Sequence, residues 1–68
     1  MKPFKTRAHI YSLNGKTDEI TVLRPNEVSG HEIPNSYIVE YKGIRCTAFL
    51  NPCNFQYYAD DIYGRIYE

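Results

Sequence analysis

The sequence predicts a mainly β fold, a small antiparallel sheet or partly open barrel of four to six strands, and three observations lead there. Residues 36–50 alternate with a period of two on both sides of a Lys42-Gly43 dipeptide, the pattern of a hairpin. Asn14-Gly15, a strong turn signal, separates two further apolar-rich runs. Seven Tyr and three Phe, with no Trp, supply side chains that suit a pleated, half-buried surface.

Taken in order, Phe4 to Leu13 alternates loosely and reads as a first strand that ends at the Asn14-Gly15 turn. Residues 19–23, Glu-Ile-Thr-Val-Leu, form a second strand, although loops of two, four and five residues all pair it imperfectly with the first. Arg24 to Asn35 holds Pro25, Asn26, Gly30, Pro34 and Asn35, which break both helix and strand, so a long surface loop is expected.

The central hairpin, 36–41 and 44–50, is the clearest element. A two-residue loop at Lys42-Gly43 sets Tyr41 opposite Ile44, Glu40 opposite Arg45, Val39 opposite Cys46, Ile38 opposite Thr47 and Tyr37 opposite Ala48. One face then carries Tyr37, Val39, Tyr41, Ile44, Cys46 and Ala48. The other carries Ile38 and Phe49 beside Glu40 and Arg45, whose opposite charges face each other across the strands. A slip of one residue would set Glu40 against Ile44 and break the apolar face. Lys42 fits less well, because a type I′ turn favours Asn, Asp or Gly at that position.

Residues 51–68 support two readings. In the first, Asn51 to Asn54 is a turn, Phe55 to Ala59 a strand, Asp60 to Gly64 a turn and Arg65 to Tyr67 a short last strand. In the second, an α+β alternative, a helix covers 52–63, capped by Asn51 and stopped by Gly64. Its apolar positions 55, 58, 59, 62 and 63 match helical spacing. Asn54, Asp60, Asp61 and the aromatic residues are mediocre helix formers, and the strand reading is preferred on that ground.

The chain of 68 residues reads as a single small domain, 1–68, and chains near this size bury only about 60% of their unfolded surface. A thin core of this kind is often helped by a metal, a disulfide or self-association. Formal net charge is zero, so bulk attraction to nucleic acid or anionic membrane is not expected. The distribution is uneven: residues 1–16 carry Lys2, Lys5, Arg7 and Lys16 and no acid, whereas 17–40 carry five acids against Arg24 alone. No apolar run approaches the roughly 20 residues of a membrane-spanning helix and no secretory h-region opens the chain, so a cytoplasmic location is expected.

Chemical motifs are sparse. Tyr58-Ala59-Asp60-Asp61 resembles the Tyr-x-Asp-Asp motif of reverse transcriptases, which implies aspartates that hold metal ions. A polymerase palm needs a further distant carboxylate and a chain several times longer, so Asp60 and Asp61 read first as a surface pair and only weakly as catalytic. Cys46 and Cys53, with His9 and His31, have no zinc-ligand spacing, and neither a metal nor another cofactor is expected. An extended 46–50 segment carries the chain about 14 Å, twice the reach of about 7 Å that a disulfide allows, so the two cysteines should not bond. Cys46 then reads as a small core residue and Cys53 as a partly exposed thiol. Asn14-Gly15-Lys16-Thr17 lacks the earlier glycine of a phosphate loop, since position 10 is Ile.

Two functions follow as expectations. The first is a non-enzymatic protein-binding module, self-associating or serving as an inhibitor or accessory protein of the size found in phages and mobile elements, with Ile38, Glu40, Arg45 and Phe49 at the interface. The second is nucleic-acid binding through Lys5, Arg7, Tyr11, Tyr57, Tyr63 and Arg65, with weak nuclease or nicking activity if Asp60 or Asp61 meets another acid on assembly.

Overall fold

A computed structural model, described here for residues 1–67, consists of one sheet of five strands that closes into an irregular ring. The strands are β1 (Phe4–Ile10), β2 (Thr17–Val28), β3 (His31–Tyr41), β4 (Ile44–Asn51) and β5 (Gln56–Arg65). Each pairs antiparallel with the next, and β5 returns to β1 in parallel through three residue pairs: Ala8 with Tyr57, His9 with Tyr58 and Ile10 with Ala59. The mainly β expectation holds and the helix over 52–63 is overturned.

Alternation fills the ring. Ala8 and Ile10, Ile20 and Val22, Val39 and Tyr41, Cys46 and Ala48, and Ala59 meet inside as one core. On β4 and β5 those residues are small, and this lets the opposite walls approach. Leu13, Tyr37 and Tyr57 pack against the core from its margins, with Tyr37 and Tyr57 edge-on at 5.8 Å.

The β3–β4 hairpin has the register that its sequence predicts, from Tyr41 opposite Ile44 to Tyr37 opposite Ala48. Its turn uses Lys42 at φ 48 and Gly43 at φ 80, the two positive values that a type I′ turn demands. Lysine therefore adopts a left-handed conformation, which costs a side-chain-bearing residue about 1–2 kcal/mol. Cys46 is buried, Cys53 is exposed and both are free thiols, in line with the geometric argument against a bond.

Three expectations need correction. The surface loop over 24–35 does not exist: β2 continues to Val28, Ser29 (φ 54) and Gly30 (φ 81) make a tight turn, and β3 starts at His31. Pro25 and Pro34 do not end these strands: Pro25 keeps its pairing with Tyr37 between two register shifts, and Pro34 lies in the stretch of β3 that has no partner in β2. Register shifts fall between Val22 and Arg24 and between Pro25 and Glu27, Asn35 sits at φ 58, and the Asn26 amide donates to Ser36 Oγ at 3.2 Å. The first strand stops at Ile10 instead of Leu13, since Tyr11–Leu13 forms a 3₁₀ turn closed by Gly15 N–H donating to Ile10 O at 3.0 Å.

The third correction concerns the expected turn over 60–64. β5 runs unbroken to Arg65, but Asp60 pairs with Thr47 and Arg65 with Cys46, so residues 61–64 form a large bulge opposite no partner. Asp60 supplies its turn chemistry, with Oδ1 accepting from Ile62 N–H at 3.1 Å and Tyr63 N–H at 2.9 Å. Upstream, Asn51 shows the capping tendency that suggested a helix, yet it spends it on a turn: Oδ1 accepts from Cys53 N–H at 2.9 Å and its carbonyl from Phe55 N–H at 2.7 Å.

The outer face of the hairpin is partly covered by this chain itself. Ile38 is buried although it lies outside the inner core, in a shallow depression lined by Arg24, Pro25, Asn26, Glu27 and Ile66. Ile66 N–H donates to Arg45 O at 2.8 Å and holds the C-terminal segment there.

The bulge folds Gly64 onto the sheet so closely that a Cβ at that position would lie 2.4 Å from Thr47 Oγ1 and 2.7 Å from Asp60 O. The second neighbour is backbone and cannot rotate away. Gly64→Ala is expected to cost about 1–3 kcal/mol, read as a lower urea midpoint with an unchanged slope.

Candidate functional site

The β1–β5 seam positions the most distinctive surface of the molecule. On β1, Ala8 and Ile10 point inward, so Lys5, Arg7 and His9 point outward; on β5, Ala59 and Asp61 are buried, so Tyr58 and Asp60 face out. The parallel register then sets His9 beside Tyr58, and their rings stack at 4.6 Å with planes 14° apart. Phe49 lies across from Tyr58 on β4 and is about half exposed, so Phe49, Tyr58 and His9 form a row over three strands.

The His9 ring is pinned on both sides. Nδ1 lies 2.8 Å from Gly15 O and Nε2 lies 2.6 Å from Gln56 Oε1, so β1 is tied to the β1–β2 loop and to β5 at once. Two acceptors facing one imidazole favour its protonated form. The Gly15 carbonyl and then the Gln56 amide raise the His9 pKa above its usual value. Tyr58 is held in turn by Asn54, whose Nδ2 donates to Tyr58 Oη at 3.1 Å.

Next to the stacked pair is an open groove of about 450 Å³. Buried Ile10 and Ala59 floor it; His9 and Tyr58 form one side, Tyr11 and the Asn14-Gly15 turn border it, and Asp60 supplies a carboxylate. Tyr63 extends the aromatic surface, edge-on to Tyr11 at 5.6 Å and 76°. Tyr11 and Tyr63 are exposed, and Tyr58 is 38% exposed.

Asp61, next in sequence to Asp60, has a different role. It is 6% exposed and accepts hydrogen bonds from Ser12 N–H at 3.0 Å and Ser12 Oγ–H at 2.5 Å. Burial pushes its carboxyl up, but the two Ser12 bonds and the nearby Arg65 charge outweigh burial and leave it below the usual carboxylate range. Asp61 therefore fastens the 3₁₀ turn to β5. The two aspartates point to opposite sides of the strand and form no carboxylate pair.

The remaining residues singled out from sequence are spread around the ring. Glu40 and Arg45 face each other on the exposed side of the hairpin, Ile38 is buried beside them, and Phe49 belongs to the aromatic row. Lys5 Nζ lies 3.9 Å from Glu19 Oε1, and Arg7, also paired in register with Glu19, donates from Nη2 to Thr17 Oγ1 at 2.9 Å. Arg65 donates from Nε to Asp61 O at 2.8 Å, and Tyr57 packs inward against Tyr37. The groove thus unites Tyr11 with Asp60, beside Tyr63, and leaves the four cationic and inward-facing members of that set elsewhere.

Two of its main residues, His9 and Tyr58, were not legible as site residues. Alternation around Ala59 marks Tyr58 as outward-facing, but no sequence signal announces a parallel pairing between residues 49 positions apart, as Tyr58 and His9 are. Among the described residues no group of three His, Cys, Asp or Glu side chains is placed to hold a metal ion. Burial, followed by the Asp61 and Asp60 charges, pushes the Cys46 thiol up to about 11, which makes it a poor nucleophile. The chain matches no protein-family model, no curated protein and no solved structure.

Two pH-dependent outcomes follow. A raised folded pKa at His9 contributes stability that is full below the unfolded value of about 6.5 and is lost as pH rises through the folded value. Thermal unfolding should show the gap between wild type and His9→Gln narrowing as pH is raised above that range. Asp61 has the opposite sign: its contribution is present above about pH 3.9 and is lost as pH falls through the lower folded value. Asp61→Asn should cost about 1–2 kcal/mol at neutral pH, with the difference in urea midpoint vanishing in acid.

Proposed function

We propose that this chain is a non-enzymatic protein-binding module whose groove at the β1–β5 seam holds an extended segment of a partner. The observation that carries the reading is the concave, aromatic-sided surface formed by Tyr58, His9 and Tyr11 on a closed ring. Aromatic-lined grooves suit extended peptides because ring faces offer large contact area at small entropic cost. In this reading the side chains that line the groove carry the recognition. A module of this size would act by occupancy, as an inhibitor or accessory subunit does.

Nucleic-acid binding is the second reading, favoured by the exposed Tyr11, Tyr58 and Tyr63 rings, on which bases could stack. Its electrostatic side is weak. Across β1 and β2, Lys5 lies 3.9 Å from Glu19, and Arg7 is in register with the same residue. This partial pairing and the zero net charge weaken attraction to phosphate.

Selection of peptides from a random library, followed by NMR mapping on the folded domain, tests the first reading. Selected peptides should shift signals of residues 9–15 and 56–60 and should lose at least about tenfold in affinity, or about 1.4 kcal/mol, with Tyr58→Leu. Shifts confined to another face would overturn it. Binding of a single-stranded oligonucleotide that collapses between about 50 and 200 mM salt would put the second reading in its place.

A further inference from the structure

We propose that the groove is specific for an arginine side chain presented by the partner segment, with the guanidinium lying against the tyrosine rings and bonded to Asp60. The inference rests on the protein-binding reading and names the chemistry that the groove selects.

Charge is the first argument. Of the residues that line the groove, Asp60 is the one acid, and both ring nitrogens of His9 are already bonded to Gly15 and Gln56, so His9 has no N–H left for the carboxylate. A carboxylate set among tyrosine rings is complementary to a cation, since the faces of such rings attract positive charge.

Geometry is the second. Tyr11 and Tyr63 stand nearly perpendicular, 76° apart, and Tyr58 borders the same groove with its ring stacked on His9. Tyr11 and Tyr58 line the groove, and Tyr63 extends the ring surface beside it. Asp60 is held in place because Oδ1 accepts from both Ile62 N–H and Tyr63 N–H. The turn thus uses Oδ1 and leaves Oδ2 without a bond in it. A planar guanidinium can stack on a ring and still direct an N–H at one carboxylate oxygen, whereas a tetrahedral ammonium cannot stack and is more strongly hydrated. Arginine also keeps its charge at every physiological pH.

Neutral substitution isolates these features. The full chain is titrated, by NMR, with an acetyl-Gly-Arg-Gly-amide peptide and with its citrulline counterpart, which keeps the shape and loses the charge. The arginine peptide should give saturable shifts at Tyr11, Tyr58, Asp60 and Tyr63, and citrulline should bind at least about tenfold more weakly. The lysine peptide should fall between them. Asp60→Asn preserves the Oδ1 acceptor of the turn, so it should fold normally and bind both peptides equally. Tyr63→Ala, at a ring that is 80% exposed, should weaken binding without changing the melting temperature.

Equal binding of the arginine and citrulline peptides, or undiminished arginine binding by Asp60→Asn, overturns the inference. Library peptides that occupy the groove without enrichment in arginine also overturn it while the protein-binding reading stands. No groove shift with any peptide removes both.

Discussion

An odd number of strands in a simple up-and-down order cannot close into a ring by antiparallel pairing alone. With five strands the first and last must run the same way, and a parallel seam between β1 and β5 is the unavoidable result. Here that seam is only three residue pairs long. Side chains supplement what the backbone ladder lacks: Asp61 holds Ser12, and His9 reaches Gly15 on one side and Gln56 and Tyr58 on the other. The core depends on this fastening, because Ala8, Ile10 and Ala59 are enclosed only while the seam is shut.

The groove also comes from the seam. Strands that pair briefly and then diverge leave a concave surface beside the last pair, and the 3₁₀ turn that follows Ile10 supplies its far border with Tyr11. The residues that close the ring, His9 and Tyr58, are thus the ones that shape the groove. Under the proposed function, stability and binding would share these side chains, whereas Lys5, Arg7 and Glu19 on the outside of β1 and β2 do not line the groove.

Much of the fold was legible wherever one strand pair decided the pattern. The β3–β4 hairpin could be set to the residue because Glu40, Arg45 and a single apolar face admitted only one register. Prolines misled because Pro25 and Pro34 normally end strands, and nothing local shows that a ladder will be interrupted beside them. The 55, 58, 59, 62, 63 spacing imitated a helix for a related reason: a bulge at 61–64 shifts the alternation of β5 partway along. The candidate site was harder. Tyr11, Tyr63 and Asp60 were recognisable as residue types, but their meeting point depends on which strands close the ring, a property of the whole topology that no window of sequence contains.

Parallel closure has a mechanical consequence. The start of β1 and the end of β5 lie at opposite ends of adjacent strands that run in the same direction. Pulling those two points apart slides one strand along the other, so the bonds of the seam carry the load together instead of opening one after another. His9 with Gln56 spans the same two strands, and Asp61 with Ser12 ties β5 to the turn that follows β1, so both share that load. A ring so built resists stretching along its seam far better than it would resist peeling from one edge.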